Sequence, residues 1–325
     1  MTKTHLLYLY STSEELKQAI DTDGPMRCLA SPPVDLVRPT LPINAEPTPL
    51  LSPENAQALN ELLAISYEDP AGATLPTHED IDHHLTVVAT AFQLVKPTSA
   101  FCQYQLQLDS ARGIVSHSTA TESVALRLPD PHLAYQQHHT IVPDDVRRAI
   151  AFLPRVSQAL LRCSSWTHPS GSIHRALVFF CQGYTIDLSD LRQLLWAAGL
   201  DCLFASKTDK RKRGARAISE RLRMFWGADF RPYAADTVNI PIHQTRPDRR
   251  LTDIGKDIFW LRNAFMHGLP IPEAWLSKRE SPESGYAYQL LECTEILLRL
   301  TLVKLLEDPV LFDVFRDPRK LDRYF

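Results

Sequence analysis

From Pro143 onward the sequence repeats its apolar residues at helical spacing, and no strand-like alternation interrupts it. This change of period constrains the fold more than any other feature. Successive helical segments with apolar stripes bury them most readily against one another. Helices are expected over 144–163, with an interruption near Pro154, and over a segment capped by Ser170 that passes through Ala176, Leu177, Phe180 and Tyr184. Further helices are expected over 187–205, 216–226, 253–267 and 284–306. Residues 143–325 therefore read as an all-α bundle.

Residues 1–142 follow different rules. Eight prolines fall between Pro25 and Pro53, a density that forbids regular helix and marks an extended loop over 25–53. Ser52-Pro53-Glu54 then sets an N-cap before a first-position proline, so a helix is expected from there to about Tyr67. The stretches Leu85–Val95, Phe101–Leu108 and Ser123–Leu128 are β-branched, aromatic and partly alternating, and read as strands. The expected fold class is an α+β domain with a small sheet followed by an all-α domain. A length of 325 residues, too long for one ordinary core, agrees with two domains.

Glycine scarcity narrows the chemistry. There are 11 glycines, and the closest two, Gly171 and Gly183, are twelve positions apart. A Walker A loop needs glycines five apart, a dinucleotide fingerprint two and three apart, and a nucleophile elbow four apart. P-loop NTPases, GxGxxG-type dinucleotide enzymes and GxSxG hydrolases are disfavoured on that ground. The six cysteines include no CxxC pair, and Cys163, Cys181 and Cys202 fall in helical apolar patterns as small buried hydrophobes. The short run Leu6–Tyr10 leads straight into Ser13-Glu14-Glu15 and does not make a signal peptide. No stretch approaches about 18 uncharged apolar residues, so no membrane span is expected and the location read is cytoplasmic, with reduced thiols. The net charge of -3 conceals an asymmetry: residues 1–150 carry -9 and residues 151–325 carry +6. A basic half suits a polyanionic partner.

The sharpest local feature is the segment from Asp257 to Pro270, which contains Arg262-Asn263, His267 and Gly268. At about 100° per residue, Ile254, Ile258, Leu261 and Phe265 form one stripe for the bundle interior. Asn263 and His267, four apart, stack on the other side with Arg262 on the flank. Phe259, Trp260 and Met266 are also off the stripe, so this helix is expected to be covered on two sides, by its own bundle and by a second subunit. Gly268 is a natural C′ residue and Pro270 prevents continuation, which leaves His267 at the helix C-terminus. A histidine that exchanges a proton near neutrality suits general acid-base work. An arginine supplies a planar fork for phosphate and for developing negative charge. Arginine, histidine and an amide suffice to cleave RNA, because the 2′-hydroxyl attacks its own phosphate without metal or cofactor. Arg112…His117 and Arg127…His132 share the spacing but have Gly113 and Leu128 where Asn263 stands, and neither ends an amphipathic helix.

Five segments in order, IHRALVFFCQGY (Ile173–Tyr184), LRQLLWAAGLDCLFAS (Leu191–Ser206), ISERLRMFWG (Ile218–Gly227), IFWLRNAFMHG (Ile258–Gly268) and a final apolar helix, resemble the HEPN superfamily, specifically the ApeA-like HEPN domains of bacterial anti-phage proteins. The resemblance covers about residues 150–310, and RNAFMHG fits the family's Arg-polar-x3-His motif. Relatives usually carry Ala-Leu-Glu where this chain has Gly199-Leu200-Asp201, so the acid is kept but shortened. The resemblance implies a metal-independent endoribonuclease with Arg262, Asn263 and His267 as catalytic residues. It also implies a homodimer whose motifs meet across the helix carrying Arg262 and His267, and abortive infection as the use. By analogy residues 1–142 would be the sensing or regulatory part, answering a phage-derived trigger or a regulatory protein. Two alternatives stay open: a catalytically silent HEPN module binding nucleotide or protein, and an RNA-binding scaffold.

The scaffold alternative rests on the run from Lys207 to Arg216, where Lys210, Arg211, Lys212 and Arg213 could hold an RNA backbone; a solvated interhelical loop explains the run equally well. Trp226 and Phe230 nearby read as core aromatics. His78-Glu79-Asp80-Ile81-Asp82-His83-His84 offers metal-ligand types, but they crowd one segment and point in different directions, which favours a surface loop over a metal site.

Overall fold

The computed structural model describes residues 3–9, 26–29, 63–69, 87, 90–96, 101–109, 113–119, 143–160, 171–186, 188–205, 214–232, 250–276 and 285–325. The chain divides into two units, Met1–Leu153 and Pro154–Phe325.

Among the described residues of the first unit the backbone forms five strands, β1 (Lys3–Leu9), β2 (Met26–Leu29), β3 (Leu63–Asp69), β4 (Phe101–Asp109) and β5 (Gly113–Thr119). All pairs are antiparallel, in the order β2-β3-β1-β4-β5. β4 occupies the alternating stretch that starts at Phe101. Two expectations fail here. Leu85–Val95 was expected as a strand, but residue 87 and residues 90–95 are helical. Every residue from Thr90 to Val95 is buried, and a short segment buried on all sides carries neither the helical nor the strand period, so its β-branched residues mislead. The helix expected up to Tyr67 is also overrun, because Leu63–Asp69 is β3. A cap at Ser52 says where a helix starts and nothing about where it stops. Ser123–Leu128, the His78–His84 cluster and the proline-rich stretch beyond β2 lie outside the described residues.

α1 (Pro143–Ala159) crosses the division between the units. The break expected at Pro154 is absent. Pro154 is exposed, and a hydrogen bond lost on the solvent side of a helix costs least, because water can replace it.

The second unit continues with α2 (Ser172–Thr185), α3 (Ser189–Phe204), α4 (Gly214–Trp226), α5 (Leu251–His267), a 3₁₀ turn (Glu273–Trp275), α6 (Tyr286–Glu307), α7 (Pro309–Arg316) and α8 (Pro318–Tyr324). Its described residues contain no strand and form an all-helical bundle. The cap expected at Ser170 falls instead on Gly171, which makes no side-chain cap bond. Two short helices follow the apolar α6; Asp308 caps the first by accepting from the backbone N–H groups of Val310 and Leu311 at 2.8 and 3.1 Å. Among the described residues no helix is long and apolar enough to cross a membrane.

α3 is the hub, touching α2, α4, α5 and α6. Trp196, Ala197, Leu200, Leu203 and Phe204 of α3 are fully buried. Gly199 makes this possible: a Cβ there would lie 2.7 Å from the Leu298 side chain of α6 and 3.5 Å from the Ala176 carbonyl of α2. α6 is buried all round from Gln289 to Arg299, which explains its weak apolar periodicity. Inside it, Arg299 Nε meets Glu295 Oε1 at 2.8 Å, with side-chain exposures of 2% and 0%. Tyr184 of α2 donates its hydroxyl to the same Glu295 oxygen at 2.6 Å. One carboxylate oxygen of Glu295 thus accepts from both groups, which offsets part of the cost of burying the charge.

Candidate active site at the end of α5

α5 buries Ile254, Ile258 and Leu261 against the bundle, with Phe265 half-buried beside them. Phe259, expected to face outward, is only 1% exposed and belongs to the core of the chain's own bundle. Trp260 is covered in part by its own chain: the 3₁₀ turn sets Trp275 edge-on to it, with ring centroids 4.8 Å apart, and Trp275 meets Tyr286 of α6 at 5.0 Å. Met266 and Leu269 remain exposed at the helix end.

Gly268 closes α5 in the left-handed conformation, at φ 63° and ψ 30°. Its N–H and that of Leu269 both turn back to the Ala264 carbonyl, a Schellman-type stop that satisfies the last turn. This stop places Asn263 and His267 in the open, on one exposed side of the helix. The side chain of His267 thus lies at the negative end of the helix dipole and in contact with solvent.

Arg262 takes another direction. Its Nη1 meets Oδ2 of Asp201, on α3, at 2.7 Å, and the two side chains keep 26% and 22% of their exposure. Burial holds the Asp201 carboxyl above the usual carboxylate range, and the Arg262 charge opposes that rise. The next residue on α3, Cys202, is half-buried and its thiol is pushed up to about 11. Burial is the main cause; the positive charges of Arg175 on α2 and of Arg262 pull the other way, and Asp201 adds to the rise. Such a thiol is protonated at neutral pH and is a poor nucleophile. Cys181 and Cys202, expected as small buried hydrophobes, are half-buried, and Cys293 is buried.

Of the sequence-derived site residues, Arg262, Asn263 and His267 share one helix but not one direction. Five residues separate Arg262 from His267, which is about 7.5 Å along the axis and about 140° around it. Lys210, Arg211, Lys212 and Arg213 lie outside the described residues, in the stretch that joins α3 to α4. Trp226 and Phe230 are occupied within the fold. They stack at 4.2 Å, Trp226 donates to Thr301 Oγ1 at 3.1 Å, and the Lys304 ammonium lies 4.5 Å from the Trp226 ring. The site residue that motif reading passed over is Arg175, an exposed residue in the first turn of α2. It has no partner four or five positions away to complete a pattern, so only the packing of α2 on α3 reveals it.

No protein-family model, no curated protein and no solved structure matches this chain.

Proposed function

We propose that the chain is a HEPN-type endoribonuclease that cuts RNA without a metal. The observation that carries this reading is the end of α5: an exposed His267 set by the Gly268 stop, with Arg262 held one turn earlier by Asp201 at 2.7 Å. In this scheme His267 removes the proton from a ribose 2′-hydroxyl, whose oxygen attacks the adjacent phosphorus. The P–O5′ bond breaks, a second acid protonates the departing 5′-oxygen, and a 2′,3′-cyclic phosphate remains. Arg262 binds the scissile phosphate and the charge that builds on it, and Asn263 orients the histidine or a phosphate oxygen. Because Arg262 and His267 diverge around one helix, a homodimer through α5 completes the site. The second copy supplies the complementary arginine and histidine, and exposed Met266 lies on the surface that would meet it. The N-terminal part, an α+β domain over 1–142, senses a phage-derived trigger or a regulatory protein, and Lys210 to Arg213 add electrostatic attraction for RNA. The use is anti-phage defence by abortive infection in the cytoplasm. A second reading, a silent HEPN bundle that binds nucleotide or protein, is favoured by one fact: Arg262 is already neutralised by Asp201.

The test is incubation of the purified full chain with single-stranded and structured RNA in excess EDTA, beside Arg262→Ala and His267→Ala. Cleavage by the wild type and its loss in both variants is expected. Equal activity in all three proteins, or a requirement for added metal, overturns the proposal.

A further inference from the structure

The surface around the C-terminal turn of α3 gathers two arginines from different helices. Arg262 arrives from α5 through its ion pair with Asp201. Arg175 arrives from α2, whose first turn is pressed onto α3 where Gly199 lies 3.5 Å, measured from an added Cβ, from the Ala176 carbonyl. The start of α2 is itself held in place: His174 Nδ1 lies 2.9 Å from the Ala159 carbonyl at the end of α1. Cys202, next to Asp201 on α3, is within electrostatic reach of both arginines. Their surroundings differ. Arg262 is half-buried and neutralised, whereas Arg175 is exposed and forms no ion pair with any described residue.

We infer that Arg175 is a second phosphate-binding residue of the same site, one that holds a phosphate of the RNA strand other than the one being cut. This rests on the ribonuclease reading above. A strand following the α2–α3–α5 surface meets at Arg175 an exposed guanidinium that pairs with no carboxylate among the described residues. At Arg262 it meets a cation that it must take from Asp201. The two residues therefore divide the work. Arg175 contributes to capture of the strand in ground state and transition state alike, and so acts on KM. Arg262 engages only when its phosphate replaces the Asp201 carboxylate, and so acts on kcat. Arg175 is a positioning residue in this scheme, since it touches the substrate away from the reacting atoms. The stretch that follows Ala205, with its run of lysines and arginines, extends in sequence from the same turn of α3.

The test uses fluorescently labelled single-stranded RNA and the full chain with His267→Ala, so that binding is measured without cutting. Arg175→Gln in that background is expected to weaken binding about 3–10-fold at low salt and to lower the slope of log affinity against log salt by about 1, with Arg175→Lys restoring most of both. In the cleaving protein, Arg175→Gln is expected to raise KM more than it lowers kcat. A salt slope unchanged by Arg175→Gln overturns the inference, as does a change in slope that Arg175→Lys fails to restore, and as does an absence of RNA binding by the His267→Ala protein. The ribonuclease reading fails separately: if RNA is bound with an Arg175-dependent slope yet never cut by the chain with His267 intact, Arg175 stands as a polyanion contact and the catalytic proposal falls.

Discussion

Two arginine–carboxylate pairs of nearly equal length hold this bundle at different depths. Arg299 and Glu295 meet at 2.8 Å with exposures of 2% and 0%, while Arg262 and Asp201 meet at 2.7 Å with exposures of 26% and 22%. The deep pair lies within one helix, four residues apart, and has the Tyr184 hydroxyl on the same carboxylate oxygen. The shallow pair joins two helices at a surface. Sealed from water, the first can exchange its partner for nothing, and removing either member leaves an uncompensated buried charge. The second keeps enough contact with solvent to trade its carboxylate for another anion. On the proposed reading, the same chemistry serves as framework in one place and as a poised binding group in the other.

The largest effect that would sharpen this contrast is on folding. Arg299→Ala is expected to cost about 3–5 kcal/mol, read as a lowered midpoint of denaturant unfolding, because Glu295 is left buried and charged. A loss below about 1 kcal/mol would break the contrast from the buried side. Next comes His267→Ala. Removal of a general acid-base is expected to slow RNA cleavage at least about 100-fold, while the unfolding midpoint of this exposed position stays within about 0.5 kcal/mol of wild type. Gly268→Ala comes third. With φ at 63°, an L side chain there is strained by about 1–2 kcal/mol, measurable by thermal unfolding. Fraying of the last turn of α5 should accompany it, seen as faster amide exchange near Ala264 and His267.

The smallest effect concerns pH. Burial raises the Asp201 carboxyl above its ordinary value of 3.8, with Arg262 opposing the rise. The folded protein therefore binds that proton more tightly than the unfolded chain does. Stability from this group is present at pH below the ordinary value and is lost as pH rises through the raised one. Asp201→Asn removes the dependence, so the wild-type midpoint minus the variant midpoint should be smaller at about pH 7 than at about pH 4. A difference that grows with pH would mean that attraction to Arg262 outweighs burial.

Much of the bundle was legible because the periods are strong. The α5 stripe Ile254, Ile258, Leu261, Phe265 and the Gly268 stop are local signals, and both are found where the residues place them. Errors arose where the decisive term was tertiary. Residues 90–95 are buried on every side and so lack a period, and Phe259 looked outward on a helical wheel but is covered by neighbouring helices. Pro154 carries a local breaker signal that exposure to solvent overrode. In the site, the motif on α5 could be read directly from the chain, whereas the ion pair of Arg262 depends on Asp201 lying on another helix 61 positions earlier. Arg175 depends on how α2 crosses α3, which no spacing encodes.

The most direct test of the contrast is the Arg262→Ala protein alone, with unfolding midpoint and RNA cleavage in EDTA measured on one preparation. The account predicts a midpoint within about 1 kcal/mol of wild type together with loss of cleavage. Wild-type cleavage, or a midpoint as low as that of Arg299→Ala, would contradict it and return Arg262 to the framework of the bundle.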